Sequence, residues 1–167
     1  MKNPLYSVGL AITFAATFPS WCQEQAKPFD DRPGPGPIGL SICVDHDEVG
    51  LGATLLLTVS MTNIAQDQHC YGMARGHGNG IYNFPTTVRR ASGEIVGASP
   101  IIDKSGKVTI SRKRFCLQGG DTLAQTMRLD QLFDLSAPGK YSVQVSRKQG
   151  TTGEVVLSNS LPFTVMP

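Results

Sequence analysis

Two imidazoles, a thiol and a thioether fall close together in this chain, at His69, Cys70, Met73 and His77. Soft and borderline donors of that kind suit copper or zinc, which take thiolate, thioether and imidazole ligands readily. The spacing lacks the Cys-x-x-Cys pair of a structural zinc site. A disulfide at Cys70 would also remove the thiolate. No metal and no cofactor are expected, and a copper- or zinc-binding envelope protein using the 69–77 loop is the alternative.

Other chemistries fare worse. A nucleophile triad needs a histidine held beside a serine or cysteine and a carboxylate. The three histidines are scattered, His46 lies between Asp45 and Asp47, and no Gly-x-Ser-x-Gly elbow occurs. The acidic run Asp45 to Glu48 could offer oxygens to calcium but lacks the ligand spacing of an EF-hand loop. Gly76, Gly78 and Gly80 are not followed by a helical pattern, so they fail the context that phosphate cradling requires. Tyr82, Phe84, Phe115, Tyr141 and Phe163 fall at strand positions and are expected in the core. No catalytic residue is expected, and the chain reads as a non-enzyme.

The elements that would position these residues have the two-residue rhythm of strands. Leu40, Ile42 and Val44 alternate with Ser41, Cys43 and Asp45, and Asp45 to Gly52 reads as a turn. Leu55, Leu57, Val59 and Met61 share one face of a run from Thr54 to Thr62. Residues 64–80 read as a long irregular loop, and Tyr82 to Arg90 as extended chain. Lys107 to Leu117, Thr122 to Leu129, Gly139 to Arg147 and Val155 to Val165 follow as strands, with Tyr141, Val143 and Val145 inward. Asp130 to Leu135 is the one stretch suited to a helical turn. Seven or eight short strands with no long amphipathic helix predict an all-β domain, an antiparallel β-sandwich.

Ahead of that domain, residues 1–22 read as a signal peptide: Lys2, then an apolar run from Leu5 to Phe18 that is short for a membrane span. Cleavage after Cys22 puts Ser20 and Cys22 at the two positions that need small residues. Lipidation of Cys22 is the alternative, although Trp21 is a poor residue to precede an acylated cysteine. Residues 23–37, rich in Pro and Gly, read as an extended linker, and 38–167 as the domain. No later stretch is apolar enough to span a bilayer. In an oxidising compartment a disulfide is expected. Cys43, Cys70 and Cys116 allow three pairings, of which Cys70–Cys116 is preferred, with Cys43 the one left over and exposed. The formal charge of +2, with its basic residues spread along strands, gives no sign of a nucleic-acid face.

Leu135-Ser-Ala-Pro138-Gly139-Lys-Tyr141 places a leucine six residues before a tyrosine across a Pro-Gly turn. It resembles the tyrosine corner of immunoglobulin-like sandwiches, in which the hydroxyl bonds back to nearby backbone. The order of Thr62-Asn63, the Gly119-Gly120-Asp121 turn, Leu132 to Ser136 and Pro138 to Tyr141 resembles the N-terminal accessory module of secreted aspzincin-type metallopeptidases. Bacterial proteinase-inhibitor-like domains have a similar layout. The resemblance covers roughly residues 38–166 and implies an accessory sandwich alone, because the His-Glu-x-x-His of such peptidases is absent. The expected function is an exported, periplasmic or extracellular, non-catalytic binding module. It would contact a protein partner through loops 64–80 and 97–107, and an inhibitor-like role against a peptidase is one concrete version of that reading.

Overall fold

The computed structural model describes residues 38–75, 80–99, 111–149 and 153–167. The expected leader 1–22, the linker 23–37 and His77 lie outside them.

The chain is all-β. Among the described residues the strands are β1 (Ile38–Val44), β2 (Glu48–Gly50), β3 (Leu56–Asn63), β4 (His69–Arg75), β5 (Thr86–Arg90), β6 (Ser111–Leu117), β7 (Thr122–Arg128), β8 (Gly139–Lys148) and β9 (Val155–Met166). Two single helical turns, α1 (Gly80–Asn83) and α2 (Leu129–Leu132), interrupt them. One sheet has the order β1-β3-β7, a second β2-β9-β8-β5, and β4 pairs with β6 as a two-stranded ribbon. All pairs are antiparallel except β2 with β9, which run parallel.

Alternation explains the core. On β3, Leu57, Val59 and Met61 are fully buried while Leu56, Thr58, Ser60 and Thr62 are partly exposed. On β8 the same rhythm buries Tyr141, Val143 and Val145. These faces join Ile38, Leu40, Ile42 and Val44 of β1 and Leu161, Phe163 and Val165 of β9 in one apolar cluster. Each such side chain contributes about 1.5–3 kcal/mol by leaving water.

Several expectations change. The 45–52 turn contains the short strand β2, and the 64–80 loop contains β4. Tyr82 to Arg90 opens with α1 rather than extended chain; Pro85 then forces the preceding residue out of helical geometry and the strand begins at Thr86. Tyr82 and Phe115 are not core residues, being 47% and 39% exposed. Cys43 is neither exposed nor left over: it is 5% exposed and disulfide-bonded. The reason is that β1 is covered on both faces, Gly39 and Cys43 included.

Where β1 meets β9 the two sheets are stitched by one side chain. The Ile42 N–H donates to Asn159 Oδ1 (2.9 Å) and Asn159 Nδ2 donates to the Ile42 carbonyl (3.2 Å). A carboxamide offers both an acceptor oxygen and N–H donors, so it completes what a neighbouring strand would supply.

Candidate functional site

Of the residues considered for metal binding, His69, Cys70 and Met73 lie on β4, and His77 lies outside the described residues. His69, Tyr71 and Met73 occupy one face of β4 and Cys70 and Gly72 the other, because successive strand residues point to opposite sides. Cys70 faces Cys116 across the ribbon and is bonded to it, with the Cα atoms 4.0 Å apart. The thiolate is therefore consumed, and Met73 packs against the core. No group of three His, Cys, Asp or Glu among the described residues could hold a metal ion. The alternation of His69, Tyr71 and Met73 with Cys70, Gly72 and Ala74 was present in the sequence, masked by a glycine and residues of weak strand propensity.

Two polar side chains fasten the ribbon to the sheets. At its base Asn63 is fully buried; its Nδ2 donates to the carbonyls of Asp67 (2.7 Å) and Leu117 (3.0 Å), and its Oδ1 accepts the Ala65 N–H (3.1 Å). The adjoining turn comes so close that a Cβ on Gly119 would stand 2.5 Å from the carbonyl oxygens of both Ala65 and Gln66. Only a residue without a side chain fits there.

In the middle, Arg147 of β8 is 7% exposed; its Nη1 donates to the Asn83 carbonyl (2.8 Å) and its Nη2 to that of Gly72 (3.2 Å). The guanidinium lies 5.9 Å from the ring centre of Tyr71 and 5.4 Å from that of Phe84, within cation–π range. Burial lowers the Arg147 pKa, opposed by the Tyr71 hydroxyl. Burial likewise raises that of Tyr71, opposed by the Arg147 charge. The Tyr71 hydroxyl is buried with no hydrogen-bond partner among the described residues.

The ribbon brings together what the sequence kept apart. Arg75 at the end of β4 and Ser111 at the start of β6 are Cα partners. Residues 76–79 depart from the first and 100–110 arrive at the second, so the core stretches of the two expected binding loops attach to one tip; both stretches lie outside the described residues. Beside that tip β6 carries Arg112, Lys113 and the exposed Arg114, followed by exposed Phe115.

A concavity of about 320 Å³ lies where the 49–53 corner meets α2 and the chain after it. Val49, Leu55, Phe133, Leu135 and Val165 give it an apolar floor, and Asp130 and Asp134 give it carboxylates. Burial pushes the Asp130 pKa up, but hydrogen bonds from Arg128 and the Leu55 N–H, with the Arg128 charge, outweigh it and hold the carboxyl below its usual value. Asp134 is lowered chiefly by its hydrogen bonds with Ser136. Carboxylates held ionised in this way accept hydrogen bonds and attract cations; they are poor proton donors. Next to the cleft, the Tyr141 hydroxyl donates to the Ala137 carbonyl, across the turn that holds Pro138 and Gly139. The Tyr141 ring stacks on Phe163 with centres 5.4 Å apart.

No family model and no curated relative matches the chain. Solved structures similar to it include a β-glucosidase from Erythrobacter marinus (TM-score 0.42, 12% identity, 77% of this chain and 15% of that one). A β-glucosidase from Listeria innocua in complex with glucose is similar at TM-score 0.40 and 16% identity, over 78% of this chain and 16% of that one. An alkylpurine DNA glycosylase from Pseudomonas fluorescens, bound to DNA with an abasic-site analogue, is similar at TM-score 0.41 and 13% identity, over 78% of this chain and 31% of that one. The chain thus spans under a third of the length of each, and these likenesses carry no argument about activity.

Proposed function

We propose that this chain is an exported, non-catalytic binding module, an immunoglobulin-like β-sandwich that engages a protein partner through the tip of the β4–β6 ribbon. One observation carries the reading: the Arg75–Ser111 pairing, which joins residues 76–79 and 100–110 to a single disulfide-stapled support. Loops that share a rigid base lose less entropy on binding than loops that move separately, and loops at the end of a rigid scaffold are common carriers of recognition. A disulfide suits an oxidising compartment, which supports export to the periplasm or beyond. Among the described residues no helix is long and apolar enough to cross a membrane.

The test replaces residues 76–79 with a glycine-serine segment and leaves Cys70 in place, since removing the whole 64–80 stretch would delete β4. Chemical cross-linking in native cells, followed by affinity recovery and mass spectrometry, reads the partner. The expected result is one dominant partner for the natural chain and none for the variant, with the melting temperature unchanged. A partner retained by the variant, or none recovered by the natural chain, overturns the reading. Recovery of a peptidase narrows it to inhibition.

A further inference from the structure

The two faces of the β4–β6 ribbon differ. Tyr71 and Met73 pack against the core and Leu117 is buried, whereas Cys70, Gly72, Arg114 and Cys116 share the opposite face by strand alternation. There Cys70 is half-buried, and Gly72, Arg114 and Cys116 are exposed. A Cβ at Gly72 would meet nothing within 4 Å, so the ground beside the sulfurs is open. Cys43, also disulfide-bonded, is closed off at 5% exposure. Exposed disulfides are the ones that external thiols reach and reduce. We propose that the Cys70–Cys116 bond is a thiol–disulfide exchange site for a small anionic thiol of the glutathione class, which opens and recloses the ribbon.

A thiolate attacks Cys116 Sγ, the more exposed of the pair, and the electrons of the S–S bond leave on Cys70 Sγ, which takes a proton from water. A second thiolate attacks the sulfur of the bound thiol and expels Cys116 as thiolate. Two thiols are oxidised to one disulfide, and the protein bond gains the two electrons. Arg114 stands two residues from Cys116 on the same face, about 7 Å along the strand. Its charge draws the anionic thiol and stabilises the departing Cys116 thiolate. Opening the bond does not scatter the strands: Asn63 still holds the Leu117 carbonyl of β6, and Arg147 the Gly72 carbonyl of β4. The sulfurs therefore stay in register, and oxidised glutathione can reclose them. The inference is independent of the partner reading, because exchange is measured at the sulfurs with no partner present.

The experiment uses the full chain made in an exporting host. It is incubated with glutathione without denaturant, quenched with N-ethylmaleimide at successive times, and cleaved before aspartate. That cleavage places Cys43, Cys70 and Cys116 in separate segments, 31–44, 67–102 and 103–120. Mass spectrometry is expected to show Cys70 and Cys116 modified together while Cys43 is untouched and the near-UV circular dichroism is kept. Oxidised glutathione should then restore the bond. Modification of Cys70 and Cys116 only in denaturant, or only in step with Cys43, overturns the proposal. Two variants separate exchange from a purely structural bond. Gly72 has no positive φ, so Gly72→Tyr suits the strand and shades the sulfurs; it is expected to slow exchange several-fold with the melting temperature kept. Arg114→Gln should slow it about twofold at low ionic strength, as the loss of one charge at that distance in water implies. An unchanged rate in either variant overturns the proposal.

Discussion

A guanidinium that is 7% exposed must recover its lost hydration from the fold, and Arg147 does so with two backbone carbonyls and two aromatic faces. Arg147→Met keeps most of the volume but leaves the Asn83 and Gly72 carbonyls short of donors. An unsatisfied buried acceptor costs about 1–3 kcal/mol, so the variant is expected to lose about 2 kcal/mol in urea unfolding with the disulfides intact. Arg147→Lys should fall between, since a single ammonium cannot reach both carbonyls in the planar fork geometry. The inward rhythm of Tyr141, Val143 and Val145 reaches Arg147 by period, yet its charge argues from sequence for an outward position. Asp130 gives a pH test. Its folded pKa is depressed, so its contribution is present above the unfolded value of about 4 and is lost as pH falls through the folded value. Melting temperature followed from about pH 6 to about pH 2 should decline less steeply for Asp130→Asn than for the natural chain.

The apolar alternation of β3 and of Tyr141 to Val145 on β8 was legible from sequence because one buried face dictates the register, whereas β1 is covered on both faces and β9 shifts register against β8. The ribbon was not legible. β4 has Gly72 at its centre and depends on a partner far along the chain, and no local signal announces such a pairing. The turn at Gln118 to Asp121 was readable from its residues, but the approach of the Ala65 and Gln66 carbonyls to Gly119 was not. The staple itself is testable as an element. Cys70 and Cys116 are 46 residues apart, and a bridge closing a loop of that size contributes about 3–4 kcal/mol by restricting the unfolded chain. Replacing both with alanine should lower stability by about that amount. Amide exchange should show the largest loss of protection along β4 and β6, because the remaining core does not depend on the bridge. Uniform loss across β3 and β8 would mean that the ribbon is part of the central folding unit.

Across the whole molecule, two sheets share one apolar cluster, but the polar stitch between β1 and β9 fixes how they meet. Asn159 is separated from Ile42 by 117 residues, and nothing in either segment points to the other. The all-β class could be read from periodicity; the neighbour relations between strands could not. Asn159→Ala should cost about 1–3 kcal/mol through the unpaired N–H and carbonyl of Ile42. Asn159→Asp keeps the acceptor and loses the donor, so it should lie between. Both are measurable by denaturant titration. Equal stability of all three chains would show that water serves this seam as well as the carboxamide does.

The parallel pairing of β2 with β9 has a mechanical consequence. Glu48, Val49 and Gly50 face Thr164, Val165 and Met166 in the same direction of travel. Tension applied between Ile38 and Met166 would draw β2 and β9 in opposite senses along their common axis. Their hydrogen bonds would then bear the load together, in shear, where an antiparallel pair at the same place would open one bond at a time. A chain pulled from both ends meets resistance at this short patch as well as along β1, which is paired with β3 and bonded to Asn159.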